Sequence, residues 1–585
     1  MTHGQTGYPS VDKPWLKFYS DNVINFQQEE CTIYENLLKN NKDRPGDIAL
    51  NYMGHKITYG ELFESIDRTA SAFINAGVKE GETVTIALPS IPEAIYCVYA
   101  LNKIGAVANM IHPLAGVNET ANYVNEVKSR VVVIFDSAYP SLKDCFPDTS
   151  AQLIIVASPA DLLPFTLKAA YYLKANKPDL DNRKFKSWKM FISDGKGAKT
   201  DLYRKDCHKT ALISHTGGTT GEPKGVMCSD ISVNSLIWQM LCMNKYERQE
   251  VCMPVIPPFH NYSLVESMMA PLAVGYTVAL IPRYNPEDFV KYVKKYHPNH
   301  VLSIPSYWEA LLKIKGIEKE DLSCLKNIIY GGESMSAETE EKINKLLSSC
   351  GVKTQLRKGI GATEMVAGAT IAYAECNPPD SVGIPMSKTN CKIVVPGTTQ
   401  ELSYNREGEI CFSGPTLMLG YYNNPEATDE VVKVHEDGIK WFHTGDLGYI
   451  NEDGIIFVSG RIKRILITRD KNKQATKMFP DRIEKAVCSH PAVDLCCVIG
   501  VPDEERVNYP GAFVVLKDKG ESISVKDEIL EICKNSLPEY MVPAEIVFLD
   551  DLPRTKAGKI DYRALENFRL SETVEPNQAE KMPPL

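Results

Sequence analysis

Residues 83–111 read TVTIALPSIPEAIYCVYALNKIGAVANMI, in which two short apolar runs flank a longer apolar segment. The pattern predicts a strand at 83–88, a helix at 91–104 that ends before Gly105, and a buried strand at 106–111. A strand, a helix and a second strand in this order favour a parallel sheet. The predicted fold class is therefore α/β.

The same alternation continues on both sides of this unit. Thr58 stands three residues before Glu61 at the start of a periodic apolar run, which predicts a capped helix that ends near Gly77. Further apolar runs predict buried strands, several of them separated by helices, at 131–135, 152–156, 277–281, 301–304 and 327–330.

The pattern changes after Tyr404 to short strands and turns, which predicts a β-subdomain. A polar, basic stretch follows at 461–477, and beyond it the order helix, strand, strand, helix predicts a small α+β unit. We therefore predict two domains. Residues 1–462 form a large domain of parallel-rich sheets and helices that includes the β-subdomain, and residues 463–585 form the small domain.

The composition excludes several classes of protein. The 585 residues are 44% hydrophobic and 24% charged, as in globular proteins and unlike fibrous, disordered or membrane-spanning chains. A net charge of -9 disfavours a nucleic-acid partner, because binding to a phosphate backbone requires a basic surface. The 16 cysteines show neither zinc-site spacing nor the density of a disulfide scaffold, which favours a reducing, cytoplasmic location.

Neither a secretory signal nor a transmembrane segment is expected. Residues 1–28 lack an apolar core, and the apolar stretch 268–281 is shorter than the roughly 20 residues that cross a bilayer. Residues 159–177 place Phe165 and Tyr172 at helical spacing beside lysines. This helix either packs against the body of the protein or lies on a membrane surface; the first interpretation is favoured because the stretch is short and weakly basic.

A run rich in glycine and threonine, TGGTTGEPKG at 216–225, follows a predicted strand at 211–214. Glycines let the backbone approach a ligand, hydroxyls can donate to oxyanions, and the lysine adds a cation. This combination suits phosphate, although a flexible surface hairpin has the same composition. The run is not a Walker A loop, since no Ser or Thr follows the lysine. The candidate phosphate-binding residues are Thr216, Gly217, Gly218, Thr219, Thr220, Gly221 and Lys224.

This run closely resembles the phosphate loop of the adenylate-forming superfamily, which includes acyl-CoA synthetases, beetle luciferases and nonribosomal peptide synthetase adenylation domains. Ordered motifs extend the resemblance over residues 57–565. One of them, Gly361-Ala362-Thr363-Glu364, resembles the family's Gly-x-Thr-Glu signature. The resemblance implies that Glu364 and Thr219 hold Mg²⁺ and that Thr363, which contacts the nucleotide's α-phosphate, and Glu364 are catalytic.

The remaining motifs imply the other parts of a nucleotide site. The segment Gly331-Gly332-Glu333 is similar to the one that lines the adenine and acyl pockets in relatives. Asp446, in a Thr-Gly-Asp motif, would accept hydrogen bonds from the ribose hydroxyls, and Arg461 would contact ribose or phosphate. Lys463 takes the family's hinge position, about which the C-terminal domain moves. Lys559 takes the position of the lysine that reaches the active site during adenylation, and it is predicted to be catalytic.

The resemblance implies ATP-dependent activation of a carboxylic acid to an acyl-adenylate, followed by transfer to coenzyme A, with Mg²⁺ as cofactor. Residues 258–262 align with an acyl-pocket segment, which makes His260, Asn261 and Tyr262 candidate acyl-pocket residues. Amino-acid-activating relatives usually carry aspartate at the His260 position. An ammonium would stay unpaired here, so a fatty or aromatic acid is favoured.

Three functions remain open. The first is an acyl-CoA synthetase. The second is an adenylating ligase that loads a carrier-protein phosphopantetheine, since residues 467–480 lack the glycines that shape the pantetheine channel in CoA-using relatives. The third is a catalytically silent nucleotide- or lipid-binding homologue, against which the joint presence of Lys559, Glu364 and Asp446 argues. The sequence does not determine the acid, its chain length or the oligomeric state.

Overall fold

The computed structural model describes residues 6–174, 178–181, 183–195, 206–216, 223–243, 247–464, 466–469, 475–503, 505–517, 522–554 and 560–572. Three large sheets lie before residue 462, and a smaller three-stranded sheet lies beyond it. A continuous group of buried apolar side chains joins the first two sheets; it includes Leu50 and Val278 of one sheet and Val84 and Leu212 of the other. The α/β class is confirmed.

The α-helices are α1 (Pro9–Asp12), α2 (Asp21–Ile24), α3 (Ile33–Asn41), α4 (Tyr59–Asn75), α5 (Pro92–Lys103), α6 (Val117–Glu126), α7 (Tyr139–Leu142), α8 (Phe165–Lys174), α9 (Trp188–Asp194), α10 (Asp230–Cys242), α11 (Ala270–Ala273), α12 (Phe289–Tyr296), α13 (Pro305–Ala310), α14 (Ala337–Ser349), α15 (Pro425–Val431), α16 (Pro480–Cys488), α17 (Ser522–Ser536) and α18 (Tyr562–Glu572).

The strands are β1 (Ile48–Tyr52), β2 (His55–Thr58), β3 (Thr83–Ala87), β4 (Val107–Met110), β5 (Val131–Phe135), β6 (Leu153–Ala157), β7 (Phe185–Ser187), β8 (Thr210–His215), β9 (Gly225–Ser229), β10 (Val251–Cys252), β11 (Thr277–Leu280), β12 (His300–Ser303), β13 (Asn327–Tyr330), β14 (Arg357–Lys358), β15 (Thr370–Ile371), β16 (Ile384–Pro385), β17 (Asn390–Val394), β18 (Gly408–Ser413), β19 (Gly420–Tyr421), β20 (Val432–Val434), β21 (Lys440–Ile450), β22 (Ile456–Arg461), β23 (Leu466–Arg469), β24 (Ala475–Met478), β25 (Val493–Asp503), β26 (Val507–Leu516) and β27 (Glu545–Leu549).

The first two sheets are largely parallel. The first has the order β14-β13-β12-β10-β11-β1-β2, and only β1 and β2 pair antiparallel. The second has the order β19-β9-β8-β4-β3-β5-β6-β7, and it is parallel from β8 to β7. Parallel strands end at one edge of their sheet. The loops that follow β12, β13 and β14 therefore leave together, as do those that follow β4 and β8.

The third sheet is antiparallel, with the order β17-β18-β21-β20 and β22 added on β21. The smaller sheet has the order β25-β26-β27 and is covered on both faces. Side chains such as Ile483 of α16 and Ile529 of α17 pack with Val498 on one face, whereas Leu565 of α18 packs with Cys497 on the other. Successive side chains of β25 point to opposite faces of the sheet, so they contribute in turn to the two cores.

The stretch at 461–477 is polar and basic in sequence, yet it contains most of the hairpin formed by β23 and β24. Leu466 packs against the core on the α16 face, and the Thr468 hydroxyl donates to the carbonyl oxygen of Asn508 in β26 at 2.7 Å. These short strands are thus stabilised by contacts with distant residues, which alternation in the sequence does not reveal.

Helix α8 coincides with the helix that the sequence predicts within residues 159–177. The Tyr171 hydroxyl donates to Asp136 at 2.7 Å, which holds the helix to the body, while Leu173 is 87% exposed. This contact agrees with the favoured interpretation, a helix packed against the body, and membrane contact stays the disfavoured alternative. Within the described part of the chain, no helix combines the length and apolar character needed to cross a membrane.

We predict that Thr58→Ala lowers the free energy of unfolding by about 1 kcal/mol. The Thr58 hydroxyl accepts from the Glu61 amide at 3.2 Å and donates to the Glu61 carboxylate at 3.0 Å, and that carboxylate also accepts from the Thr58 amide at 2.8 Å. The substitution therefore removes both hydrogen bonds of the hydroxyl in the cap on α4. Urea unfolding followed by circular dichroism measures the effect. Thr58→Ser keeps the hydroxyl and serves as the control; equal midpoints for the two variants would contradict the capping role.

Candidate active site

The glycine- and threonine-rich run begins where β8 ends. His215 of β8 pairs with Gly225 of β9, and just beyond this pair Thr216 and Lys224 exchange two hydrogen bonds. The Thr216 amide donates to the Lys224 carbonyl oxygen, and the Lys224 amide donates to Thr216 Oγ1, both at 3.0 Å. The two ends of the run are therefore held together at the carboxyl end of β8. The predicted phosphate-binding residues that lie outside the described residues are Gly217, Gly218, Thr219, Thr220 and Gly221.

Tyr421 links Lys224 to the predicted magnesium ligand. Lys224 Nζ lies 4.8 Å from the centre of the Tyr421 ring, and the Tyr421 hydroxyl donates to Glu364 Oε1 at 2.6 Å. Burial of the ring, together with the charge of Glu364, raises the pKa of Tyr421, so the phenol remains a proton donor. The lysine of the run and the carboxylate of the Gly-x-Thr-Glu motif thus contact one side chain.

Residues 361–368 form a tight hairpin that carries Glu364 near its tip. Its two end glycines form an antiparallel bridge, and a 3₁₀ turn covers Thr363–Met365. Val366 then adopts φ 65° and ψ -59°, and the Ala367 amide donates to the Met365 carbonyl oxygen at 2.8 Å, which closes a γ-turn. This conformation is strained for a β-branched residue and persists only where the surroundings enforce it. Such strain is typical of functional loops.

The glycines that follow β13 allow the ends of β13 and β14 to approach each other and Tyr262. A Cβ atom at Gly331 would lie 3.1 Å from the carbonyl oxygen of Gly359, which follows β14, and 3.9 Å from ring atoms of Tyr262. Gly332 has φ 83°, a conformation that favours glycine. Glu333 is partly exposed at the same edge of the first sheet. The close approach therefore requires glycine at position 331.

Asp446 is presented by a bulge in β21. His443 and Leu447 of β21 pair with residues of β18 that are only two positions apart. The three residues Thr444–Asp446 between them therefore stand opposite the single residue Ile410. The Asp446 side chain is 10% exposed, and its Oδ1 lies 2.8 Å from Nε of Arg461, its partner on β22. The two predicted ribose contacts therefore form one ion pair.

A buried group of polar side chains supports this bulge. Glu409 accepts a hydrogen bond from the Gly445 amide at 3.1 Å, and its other oxygen lies 2.9 Å from Nδ1 of His443. Nε2 of His443 lies 2.9 Å from Nε2 of His435, so one ring donates to the other. Burial opposes ionisation of Glu409, but the hydrogen bond with His443 lowers its pKa. Burial also lowers the pKa of His435 to about 4, which keeps that ring neutral at pH 7.

The predicted hinge residue, Lys463, lies exposed in the 3₁₀ turn Ile462–Arg464. On one side of it, Arg461 pairs with Asp446 of the third sheet. On the other side, Arg464 Nη2 lies 2.6 Å from Glu484 Oε1 on α16, which packs against the smaller sheet. The side chains of the two arginines thus pair with different units on either side of the predicted hinge, although the Arg461 amide also donates to Asp481 of α16 at 3.1 Å.

The predicted acyl segment touches both parallel sheets. The hydroxyl of Ser214 in β8 donates to Asn261 Oδ1 at 2.5 Å, and the Tyr262 hydroxyl donates at 3.2 Å to the carbonyl oxygen of the last residue of β12. The His260 ring lies 4.0 Å from the ring of Phe259. The segment therefore lies between the end of β8, where the predicted phosphate-binding run begins, and the end of β12.

A carboxylate that the sequence reasoning missed lies next to this segment. Glu266 belongs to the π-helical stretch Tyr262–Met269 and accepts a hydrogen bond from the Gly368 amide at 2.8 Å. It is 6% exposed. The sequence does contain a signal for Glu266: it is the single acidic residue within the apolar stretch 262–274, and an acidic residue is unusual in a helix that is otherwise buried.

The structure brings several of the predicted residues together. Lys224, which is hydrogen-bonded to Thr216, approaches Glu364 through Tyr421. Ala362 packs into the apolar core beneath the β18 and β21 strands, near the Asp446 bulge. Lys463 points to solvent. Lys559 lies outside the described residues.

Two further residues, Tyr421 and Glu409, also escaped the sequence reasoning. Tyr421 carried no usable signal, whereas Glu409 is a carboxylate that immediately precedes an apolar strand run. Both are defined by contacts between segments far apart in the chain.

These features occur in a chain that belongs to the AMP-binding enzyme family. The family model matches residues 37–422, and the model of the AMP-binding enzyme C-terminal domain matches residues 482–559. The expected resemblance to the adenylate-forming superfamily is confirmed.

Relatives and a solved structure agree with this membership. The chain is 28% identical over 563 residues to the long-chain-fatty-acid–CoA ligase of Bacillus subtilis (strain 168), covering 94% of this chain and 97% of that protein. It is 26% identical over 566 residues to probable 4-coumarate–CoA ligase 1 of Dictyostelium discoideum, covering 94% and 98%. ATP-bound MatB from Rhodopseudomonas palustris matches with a TM-score of 0.79 at 23% identity, over 92% of this chain and 98% of that chain, which establishes the fold.

We predict that Glu409→Ala weakens AMP binding about tenfold, because the Gly445 amide and His443 lose their acceptor and the bulge loses its shape. Titration calorimetry with AMP measures the effect. Glu407→Ala, at an exposed position two residues earlier, is the control and should bind as the wild type does. Glu409→Gln keeps an acceptor for the amide and should be intermediate. Unchanged affinity in a folded Glu409→Ala variant would contradict the supporting role.

Proposed function

We propose that the protein activates a fatty or aromatic carboxylic acid with ATP and transfers the acyl group from the adenylate to coenzyme A. The shared contact of Lys224 and Glu364 with Tyr421 is the observation that carries this proposal. It joins the cation of a phosphate-suited run to a carboxylate suited to Mg²⁺, in a member of the AMP-binding enzyme family. The names of the two relatives support coenzyme A as acceptor.

In this proposal each group of residues binds one part of the substrates. Asp446 and Arg461 bind the ribose, with Arg461 turning from the carboxylate to the ligand. The acyl group lies beside the segment 258–262. The run at 216–224 binds the phosphates. Gly331 and Gly332, which follow β13, line the adenine and acyl pockets together with Glu333. The residues concerned are Thr216, Gly217, Gly218, Thr219, Thr220, Gly221, Lys224, His260, Asn261, Tyr262, Gly331, Gly332, Glu333, Gly361, Ala362 and Thr363.

The chemistry has two steps. An oxygen of the acid attacks the α-phosphorus of ATP, the bond from that phosphorus to the bridging oxygen breaks, and pyrophosphate leaves. The coenzyme A sulfur, as thiolate, then attacks the acyl carbon, and AMP leaves with the electron pair of the broken carbon–oxygen bond. Lys224 and Lys559 stabilise the negative charge that develops on phosphoryl oxygens in the first step. Neither step requires a nucleophile from the protein.

Glu364 fits the role of magnesium ligand. It is partly exposed, one of its oxygens takes a hydrogen bond from a neutral phenol, and no ion pair engages it among the residues described. Carboxylate oxygens are preferred ligands of Mg²⁺, and Thr219 would add a hydroxyl. Magnesium bound with ATP supplies neutralisation of phosphate charge.

We further propose that residues 1–462 bind the nucleotide and the acid and that residues 463–585 form a lid that turns about Lys463. The side-chain ion pairs of Arg461 with Asp446 of the third sheet and of Arg464 with Glu484 of α16 support a pivot between them. The free state of the cysteines supports a cytoplasmic location.

Incubation with ATP, Mg²⁺ and a panel of acids, with and without coenzyme A, tests the proposal. AMP and acyl-CoA are the expected products. Pyrophosphate release without acyl-CoA would point to a different acceptor, such as a carrier protein. Nucleotide binding without pyrophosphate release for any acid would overturn the proposal in favour of a silent homologue.

We predict that Lys559→Ala abolishes ATP–pyrophosphate exchange but spares thioester formation from supplied acyl-adenylate, because the lysine acts on phosphoryl charge only in the first step. Both half-reactions are measured separately. Lys534→Ala, at an exposed position on α17, controls for loss of a positive charge from the same domain. Undiminished exchange in Lys559→Ala would remove this lysine from the mechanism.

We predict that Tyr421→Phe slows ATP–pyrophosphate exchange about tenfold and raises the Mg²⁺ concentration needed for half-maximal rate, since Glu364 loses the hydrogen bond that orients it. Exchange rates over a magnesium titration measure both effects. Tyr422→Phe removes the neighbouring hydroxyl and serves as the control. If both variants respond alike to Mg²⁺, Tyr421 does not orient the ligand.

A further inference from the structure

The π-helical stretch Tyr262–Met269 exposes only one of its faces. Ser263, Leu264, Val265, Ser267, Met268 and Met269 are each no more than 1% exposed. Tyr262 is partly exposed, and Glu266 keeps 6% of its surface accessible. These two residues are about one helical turn apart and therefore share a face. The accessible wall that this helix offers thus consists of a tyrosine and a carboxyl group.

This face lies along the region where the acyl group is proposed to bind. Tyr262 is next to Gly331 at the carboxyl end of β13. Glu266 accepts from the amide of Gly368, the residue that ends the hairpin carrying Glu364. A Cβ atom at Gly368 would lie only 2.8 Å from Glu266 Oε1, so the contact between hairpin and carboxyl group is close. The helix therefore reaches from the end of β13, at Tyr262, to the hairpin that carries Glu364, at Glu266.

Glu266 lacks the partner that a buried carboxylate needs. Among the described residues, its hydrogen-bond donor is the Gly368 amide alone, and no lysine, arginine or histidine forms an ion pair with it. Its neighbours on the helix are Val265 and Ser267, and Met386 lies beside Gly368. Burial raises the pKa of Glu266 to about 7, although the hydrogen bond from Gly368 lowers it. A carboxyl group in such surroundings is costly unless a ligand supplies a second hydrogen bond.

We propose that Glu266 is a specificity-determining residue of the acyl pocket and that it accepts a hydrogen bond from a hydroxyl or amino group on the acid that the enzyme activates. This inference rests on the proposed function and deepens it. The substrate is then a carboxylic acid that carries a hydrogen-bond donor. This donor lies beside Glu266, about one turn along the helix from Tyr262. A plain hydrocarbon acid would leave the carboxyl group unpaired.

The proposal changes one conclusion of the sequence analysis. An amino group was disfavoured because the segment 258–262 contains no carboxylate. Glu266 supplies a carboxylate one turn later, so amino-substituted acids return as candidates beside hydroxylated ones. A hydroxyl and an amino group can each donate a hydrogen bond to Glu266, and the experiment separates them.

The test compares matched acids with the full-length enzyme. Three pairs differ only by the donor: 4-hydroxycinnamate with cinnamate, 4-aminobenzoate with benzoate, and an ω-hydroxy fatty acid with its parent. The expected result is a kcat/KM for pyrophosphate exchange at least about tenfold higher for the donor-bearing member of one pair. The pair that shows the preference identifies the donor and its distance. Equal rates within every pair would overturn the proposal.

Variants of Glu266 separate specificity from folding. Glu266→Leu should lower kcat/KM for the favoured acid at least about tenfold while sparing or raising that of its plain partner. Glu266→Gln keeps an acceptor and the side-chain shape, so it should retain part of the preference even if the leucine variant fails to fold. Ser267→Ala, at a buried position on the same helix, should leave the preference unchanged. An equal loss for both members of a pair would indicate a structural role only and would overturn the proposal.

A binding measurement distinguishes failure of this inference from failure of the proposed function. If the wild type turns over no acid at all, the proposed function is overturned. Calorimetry then measures how tightly the wild type and Glu266→Leu bind the two acids of each pair. This comparison tests the inference without relying on turnover. A preference that the leucine variant loses supports the subsite, and equal affinities overturn it.

Discussion

The main-chain hairpin at 361–368 is the constraint on which the geometry of the site depends. Neither of its end glycines has room for a side chain: a Cβ atom at Gly361 would lie 2.0 Å from the Ala367 carbonyl oxygen, and one at Gly368 would meet Glu266. The hairpin contacts all three large sheets, through Glu266 next to the first, Tyr421 of the second and the apolar core of the third. The strained γ-turn at Val366 is held by this packing.

Two carboxylates at the site are held by neutral donors instead of cations. Glu364 accepts from a phenol and Glu266 from a main-chain amide. Neutral donors orient a carboxylate without cancelling its charge. Among the described residues Glu364 and Glu266 thus form no ion pair, whereas Asp446 is paired with Arg461.

Much of the fold follows from local pattern. The capping box at Thr58 and Glu61 and the strands at 131–135 and 327–330 occur where hydrophobic periodicity and cap residues predict them. Prediction was weaker where distant contacts stabilise an element. The hairpin of β23 and β24 depends on β26, and the contact of Glu364 with Tyr421 joins residues far apart in sequence, as does that of Glu266 with Gly368.

The sequence by itself determined the α/β class, the family and the residue types available for nucleotide chemistry, because periodicity, caps and ordered motifs are local properties of the chain. Only the tertiary structure decided which of these residues meet. The packing of remote segments brings the Tyr421 hydroxyl to Glu364 and the Gly368 amide to Glu266. Such encounters depend on strand order and packing, which short-range patterns do not specify.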